Sequence, residues 1–508
     1  MKIFRRDFLK LTSLFSAGLL TNFRTGNLKQ SHAGPNIIII LFDAMSANNM
    51  SLYGYPRETT PQLSRFAKST TVYHAHYSAG NFTTTGTASM LTGMFPWKHR
   101  AFNQGGLIRS DLISINPFSL LGQDYNRLMF SQNIWPDHLV GQFYKDVDRF
   151  LPLTSYSRRG DNLVYDKFGK DRSLASVTFE EFLFTLHASP VGSSLLGYLY
   201  KSLALYIVVN TQTSPNYPRT VPEVEGFTTY LNEDIYDGVF SELKALEAQQ
   251  GPYFAYFHLY SPHSPYRPDE KHSRLFKDDF ASPSKPVHPL LKQFDNDKEL
   301  LQKRRTYDQQ IADVDADFGR LIDRLADEGV LGNSYLIVTS DHGEMFERGF
   351  SGHGGLMMYE PVLKIPLLIH APGQQERQDV FSTTSNVDIL PTILAIAERE
   401  IPPEVDGLVL PGFGGLEDST RLLFSMDAVE NSAFLPIEKA VIGMRKGDFK
   451  LITYLGYDAH GLMDELYNIA QDPEELVNLA DSSSSYSELK QELMAQLAIA
   501  NRPYERNP

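Results

Sequence analysis

The sequence predicts a doubly wound α/β domain, a mostly parallel sheet flanked by helices, followed by a small C-terminal α+β subdomain. Continuous apolar runs recur at Asn36–Phe42, Pro252–Tyr260 and Tyr335–Ser340, with a fourth at Lys364–His370. Runs of this kind read as strands buried on both faces, as inside a parallel sheet. A helical period lies between them: Ile311, Val314, Phe318, Leu321, Ile322 and Leu325 recur along Tyr307–Leu325, and Gly329 follows the end. An ionisable residue stands at or just past the end of the first three runs: Asp43, His263 and Asp341. Strands alternating with helices, with polar residues at the strand ends, describe an open α/β sheet, which binds ligands outside the carboxyl ends of its strands.

The chain begins with Phe4-Arg5-Arg6-Asp7-Phe8-Leu9-Lys10 and the apolar run Leu11–Leu20, with small residues at Ser31-His32-Ala33. This resembles a bacterial twin-arginine signal peptide, assigned to residues 1–33, with cleavage near Ala33. The resemblance implies export of a folded protein by the twin-arginine translocase to the periplasm or another extracytoplasmic space. The run is too short for a stable transmembrane span, which takes about 20 apolar residues.

The catalytic domain is assigned to residues 34–400. After the first strand, Leu52–Pro61 reads as a loop, and Thr60 or Thr59 is expected to cap a short helix, Pro61–Ala67. Thr71–Tyr77 is expected to be a strand leading into Asn81–Gly93, where Thr83, Thr84 and Thr85 precede a helical segment. Residues 100–245 are aromatic-rich and irregular, and read as an insertion covering the site. Within them the apolar segment Leu195–Val209 is expected to be a lid or buried helix, with a membrane-surface helix as the alternative. Asp313, Asp315 and Asp317 read as the solvated face of the Tyr307–Leu325 helix. Asp388–Leu394 opens another helix. Residues 401–508 read as the subdomain, with short strands such as Phe449–Ile452 and a last helix near Ser487–Ala498.

Composition narrows the function. With 508 residues, 42% hydrophobic and 21% charged, a sizeable core is expected. The formal net charge of −14 argues against nucleic acid as a partner. The absence of cysteine rules out disulfides, thiolate metal sites and cysteine nucleophiles.

Two carboxylates at separate strand ends converge on one edge of a parallel sheet. With His342 beside Asp341, the set Asp43, Asp341 and His342 suits one divalent cation with oxygen and nitrogen ligands. Such a cation would activate a nearby hydroxyl, which makes Thr83 both a metal ligand and a nucleophile candidate. The unfilled N–H groups of a helix N-terminus favour an anionic ester beside it, although a threonine there is commonly a simple cap. His263 and His353 are candidates to hold ester oxygens or to protonate the leaving group.

Met90-Leu91-Thr92-Gly93, Pro262-His263-Ser264-Pro265, Ser340-Asp341-His342-Gly343-Glu344 and Asp388-Ile389-Leu390-Pro391-Thr392 resemble the motifs of the sulfatase family in the alkaline-phosphatase-like superfamily. So do Met444–Ile452, Glu465–Asn468 and Asp472-Pro473-Glu474 near the end. The departures are at the site. Counting back from Leu91-Thr92-Gly93 puts Thr83 where the family carries the Cys or Ser that becomes formylglycine. Thr85 replaces the family's proline, Thr87 its arginine, and Ala44 its second acid. A threonine cannot form that aldehyde, because its carbon already bears a methyl. The site then resembles the phosphoethanolamine and phosphoglycerol transferases of the superfamily, which implies zinc or manganese, with calcium or magnesium as alternatives.

The leading expectation is a metal-dependent hydrolase of phosphate esters, or less readily sulfate esters, acting on an anionic glycan or lipid head-group substrate. Transfer of a phospho-group to an envelope acceptor is the enzymatic alternative. An inactive binding protein that kept the fold is the alternative of another class. If the count slips, Thr84 or Thr85 takes the place of Thr83.

Overall fold

The computed structural model describes residues 34–157, 159–160, 216–224, 228–280, 282–291, 294–418, 420–457 and 464–505. Residues 1–33, read as a signal segment, and Leu195–Val209 lie outside the described residues. Among the described residues the central sheet has eight strands. In chain order they are β1 Asn36–Phe42, β2 Thr71–Tyr73, β3 Asn126–Ser131, β4 Arg149–Phe150, β5 Tyr253–Leu259, β6 Ser334–Ser340, β7 Leu367–His370 and β8 Gln378–Val380. Across the sheet they run β8-β2-β7-β6-β1-β5-β3-β4. β1 sits at the centre, parallel to β6 on one side and β5 on the other.

Burial of β1 on both faces follows from its composition. Ile38, Ile40 and Phe42 face a layer formed with Tyr307, Ile311, Val314, Phe318 and Leu321 of the long helix Asp297–Asp327. Ile37, Ile39 and Leu41 face a second layer with Met90, Leu91, Ile389, Leu390 and Ile393. Each of these strand side chains is fully buried, and burying one of this size contributes about 1.5–3 kcal/mol. Register then fixes the site. Phe42 lies opposite both Ser340 and Leu259, so the three central strands end at one level. Asp43 and Asp341 emerge side by side there.

Several elements differ from the sequence reading. β7 begins only at Leu367 and runs antiparallel to both β6 and β2, because two-sided burial gives a strand the same composition in either direction. The segment Thr71–Tyr77 breaks at His74 and Ala75 into two strands, and His76–Tyr77 joins a separate small sheet. β3 lies inside the stretch read as a cover, yet it is an inner strand paired in parallel with β5. Asn232–Glu247, from the same stretch, is a helix packed against the long helix.

Asp313, Asp315 and Asp317 are not a solvated face; all three are buried. The long helix is covered on several sides, and these acids serve its neighbours. Asp315 accepts hydrogen bonds from the backbone N–H groups of Gln62 (2.7 Å) and Leu63 (2.8 Å), filling the N-terminus of the short helix Pro61–Phe66. Thr60 occupies the cap position there, but its side chain makes no cap bond. The long helix starts ten residues before the expected Tyr307, at Asp297, behind an Asn296–Glu299 capping box.

Beyond residue 420 the chain forms a four-stranded antiparallel sheet, Leu422–Asp427, Ala440–Lys446, Phe449–Leu455 and Glu465–Asn468, with the helix Ser485–Asn501 against it. This is the expected α+β subdomain.

Asp315→Ala leaves two buried N–H groups without an acceptor. It is expected to lower the unfolding free energy by about 1–3 kcal/mol in urea titration, with little change at the exposed control Asp323→Ala.

Candidate metal centre

The helix Thr83–Thr92 brings the hydroxyl to the sheet edge. Thr83 is its first residue, Phe82 takes the cap position, and no side chain caps the turn. The Thr83 hydroxyl is therefore not spent as a cap, and its Oγ1 lies 3.2 Å from His342 Nε2. Thr84 and Thr85 turn elsewhere: Thr84 Oγ1 accepts from the Gly105 N–H at 3.4 Å, and Thr85 donates to the Ala101 carbonyl at 3.3 Å. The helix comes this near because residue 86 has no side chain. A Cβ on Gly86 would stand 2.3 Å from the Asp341 carbonyl oxygen.

Asp43, Asp341 and His342 form one fully buried group whose ligand atoms lie within 4.8 Å of one another. Each shows the same division of labour. Asp43 Oδ2 accepts from Asn133 Nδ2 at 2.6 Å and from His258 Nε2 at 3.0 Å, while its Oδ1 has no hydrogen-bond partner. Asp341 Oδ1 accepts from the backbone N–H groups of His342 (3.0 Å) and Ala44 (3.2 Å), while its Oδ2 has none. His342 Nδ1 donates to the Gly343 carbonyl at 3.0 Å, so the lone pair is on Nε2. That nitrogen faces Asp43 Oδ1 at 3.5 Å and Asp341 Oδ2 at 3.6 Å.

Three acceptor atoms thus converge on one buried spot. Burial, and then the charge of His353, holds the His342 imidazole well below its usual range, so it is neutral. Burial works to raise the Asp43 carboxyl, but His263 and the hydrogen bond from His258 hold it well below the usual carboxylate range. Burial and the neighbouring Asp43 charge push Asp341 up. Orphaned buried carboxylate oxygens beside an imidazole lone pair fit a divalent cation that accepts oxygen and nitrogen ligands.

His263 and His353 stand over this group. The His353 ring centroid is 4.2 Å from that of His342 and 4.9 Å from that of His263. His263 Nδ1 donates to the Ser264 carbonyl at 2.7 Å, and His353 Nδ1 meets Glu344 Oε1 at 3.0 Å. Burial works against charge on His353, but the Glu344 carboxylate raises it above the ordinary histidine range.

All six residues singled out in the sequence, Asp43, Thr83, His263, Asp341, His342 and His353, therefore gather at one strand-end cluster. Two neighbours were missed. His258 lies inside an apolar strand, where a lone histidine was the available signal, and Asn133 follows the unrecognised strand Asn126–Ser131. A second, partly buried group joins Asp269, His272 and Asp313; there His272 Nδ1 is shared between Asp269 (2.7 Å) and Asp313 (3.2 Å), and although burial opposes its charge the two carboxylates raise the imidazole pKa to about 9.

The sheet edge and its donors define a class, the α/β proteins with a candidate divalent-cation site at the strand ends and a hydroxyl beside it. Comparison with known proteins gives the family. The family model "Sulfatase" matches residues 35–398, and a second, "N-sulphoglucosamine sulphohydrolase, C-terminal", matches residues 353–502. The chain belongs to the sulfatase family.

It is 35% identical over 175 residues to the uncharacterized sulfatase YidJ of Escherichia coli (33% of this chain, 32% of that one). It is 32% identical over 195 residues to arylsulfatase K of Bos taurus (36% and 34%). The chain spans about a third of the length of these curated relatives. Among solved structures, the phosphonate monoester hydrolase of Agrobacterium radiobacter superposes with a TM-score of 0.65 over 93% of this chain and 96% of that one, at 19% identity. That likeness shows the fold.

Gly86→Ala is expected to force the Thr83 helix away from Asp341, cutting stability by roughly 1–3 kcal/mol in thermal unfolding. Gly141→Ala, whose added carbon meets nothing within 4 Å, is expected to be silent in the same assay.

Proposed function

We propose that the protein is a metal-dependent phosphoester hydrolase of the sulfatase family with Thr83 as nucleophile. We also propose that residues 1–33 direct it through the twin-arginine route to the periplasm, and that 34–400 and 401–508 are its catalytic and C-terminal parts. The observation that carries the function is the Thr83 hydroxyl, 3.2 Å from a buried imidazole nitrogen that also faces two unpartnered carboxylate oxygens.

The residues that would hold the ion are Asp43 through Oδ1, Asp341 through Oδ2, His342 through Nε2, and Thr83. This short mixed set suits zinc or manganese. Calcium takes about six to eight oxygens, more than the set offers. When bound, a divalent cation would lower the pKa of the adjacent hydroxyl and offset charge on the ester.

The protein's own groups do the rest. Thr83 Oγ1 releases its proton to water and forms the new bond to phosphorus, in line with departure of the ester oxygen. His353, kept protonated by Glu344, gives its proton to that leaving oxygen. His263 holds a non-bridging oxygen. Water then attacks the phosphothreonine and the now neutral His353 takes its proton, while the departing Thr83 Oγ1 takes a proton back from water, so free phosphate leaves and both Thr83 and His353 are restored. A threonine cannot become formylglycine, which favours phosphorus over sulfur as the centre attacked.

The test is a panel of aryl phosphate, phosphodiester, phosphonate ester and sulfate substrates with the purified protein and zinc, manganese, calcium or magnesium. Phosphorus esters are expected to turn over with zinc or manganese, and a chelator to stop them. Thr83→Ala should lower kcat by roughly a thousandfold, with Thr84→Ala and Thr85→Ala only weakening it. An active Thr83→Ala protein, or cleavage of sulfate alone, overturns the proposal.

A further inference from the structure

His258 has no role in the reaction as written, yet its placement is expensive. It lies in the central strand β5, fully buried, within the apolar run Tyr256-Phe257-His258-Leu259 and opposite Leu41 of β1. A buried imidazole destabilises unless both nitrogens are hydrogen bonded. Both are. Nε2 lies 3.0 Å from Asp43 Oδ2, and Nδ1 lies 2.9 Å from the Tyr256 hydroxyl.

The partners fix the tautomer. A carboxylate accepts only, so the Nε2–H donates to Asp43, and the Tyr256 hydroxyl donates to Nδ1. A neutral ring suffices for both bonds. Asn133 Nδ2 donates to the same carboxylate oxygen at 2.6 Å. Asp43 Oδ2 is therefore filled from two directions, while Oδ1 is left free. The same Nε2 is 3.8 Å from Asp341 Oδ2, too far for a hydrogen bond.

We propose that His258 is a positioning residue of the metal centre: with Asn133 it occupies Asp43 Oδ2, so that Asp43 offers the ion one oxygen, and Tyr256 sets the ring that does so. This rests on the metal reading above and extends it to selectivity. A carboxylate pinned in this way cannot turn to give both oxygens, which is the mode that large, oxygen-rich calcium sites use. His258 thus helps to set which ion the site takes. Hydrogen-bonding partners of metal ligands change metal affinity by about 10–100-fold when lost.

The test is metal binding to the full-length apo-protein, read by competition with a chromophoric chelator, with no substrate present. His258→Leu is expected to weaken zinc by about 10–100-fold and to raise the calcium-to-zinc affinity ratio, because Oδ2, then held by Asn133 alone, turns more easily toward the ion. His258→Gln, whose side-chain amide can still donate to Asp43, is expected to restore most of both. Tyr256→Phe, which removes the donor to Nδ1 and little bulk, is expected to weaken zinc by about threefold to tenfold, and it decides the matter if His258→Leu does not fold. Unchanged zinc affinity and unchanged ion ratio in a folded His258→Leu or Tyr256→Phe protein overturns the role of His258 alone. Wild-type protein that takes up neither zinc nor manganese overturns the metal reading and this inference together. Failure of the phosphoester assay with metal binding intact overturns only the proposed reaction.

Discussion

Two carboxylate oxygens and one imidazole lone pair face each other in a volume closed to solvent, with no hydrogen donated between them. Without a compensating charge this is among the costliest arrangements a fold can hold. Much of the surrounding structure keeps it in place. β1, β5 and β6 end in register, so two acids emerge together. Each acid has one oxygen filled by fixed donors and one left over. Gly86 lets a helix come close enough to present Thr83 to the same spot. Any of these features alone is ordinary. Together they make a set of ligand atoms in which two carboxylate oxygens are left without a hydrogen-bond partner.

The C-terminal subdomain bears on the site through a second buried charge network. Lys450 lies between Glu360 (3.1 Å) and Glu475 (2.8 Å), and the Tyr77 hydroxyl donates to Glu360 at 2.9 Å. The Glu360 N–H donates to Glu475 at 2.9 Å, and Arg348 donates to the Glu475 carbonyl. Lys450 and Glu475 belong to the C-terminal region; Glu360 and Arg348 flank the segment that carries His353. Removing one member of such a network costs about 3–5 kcal/mol, because it leaves a charge buried alone. The subdomain therefore anchors both sides of the His353 loop, which explains how a histidine outside the regular strands keeps its place over His342.

The parts of this arrangement legible in the sequence were those tied to strand ends. Asp43 and Asp341 announce themselves because an apolar run stops at an ionisable residue, and Thr83 because three hydroxyls precede a helix. His258 was hidden by the same logic, since it sits one residue inside its strand, where composition reads as core. β3 was hidden because Asn126 and Arg127 open it and irregular aromatic sequence surrounds it. The three acids of the long helix were misread for a geometric reason. Residues spaced two apart on a helix point about 200° from one another, so Asp315 lies across the helix from Asp313 and Asp317 and the three cannot share one solvated face. They face three different neighbours: the His272 turn, the Pro61–Phe66 helix, and Arg320. The antiparallel sense of β7 left no trace in composition at all.

Ala44 shows how the site accommodates what the family pattern would place there. Its backbone is left-handed, with φ at 61°, an uncommon state for a residue with a side chain. That turn aims the Ala44 N–H at Asp341 Oδ1 and its carbonyl at the Tyr307 hydroxyl, 2.6 Å away. A position that could have added a third carboxylate instead contributes a backbone donor that fills one oxygen of an acid already present. The centre thereby carries one fewer negative charge and one fewer candidate ligand. A smaller ligand set asks for an ion that binds strongly through few contacts. In the proposed reaction the threonine at residue 83 and the absent acid at residue 44 suit the same thing, a compact mixed donor set in place of an oxygen-rich one.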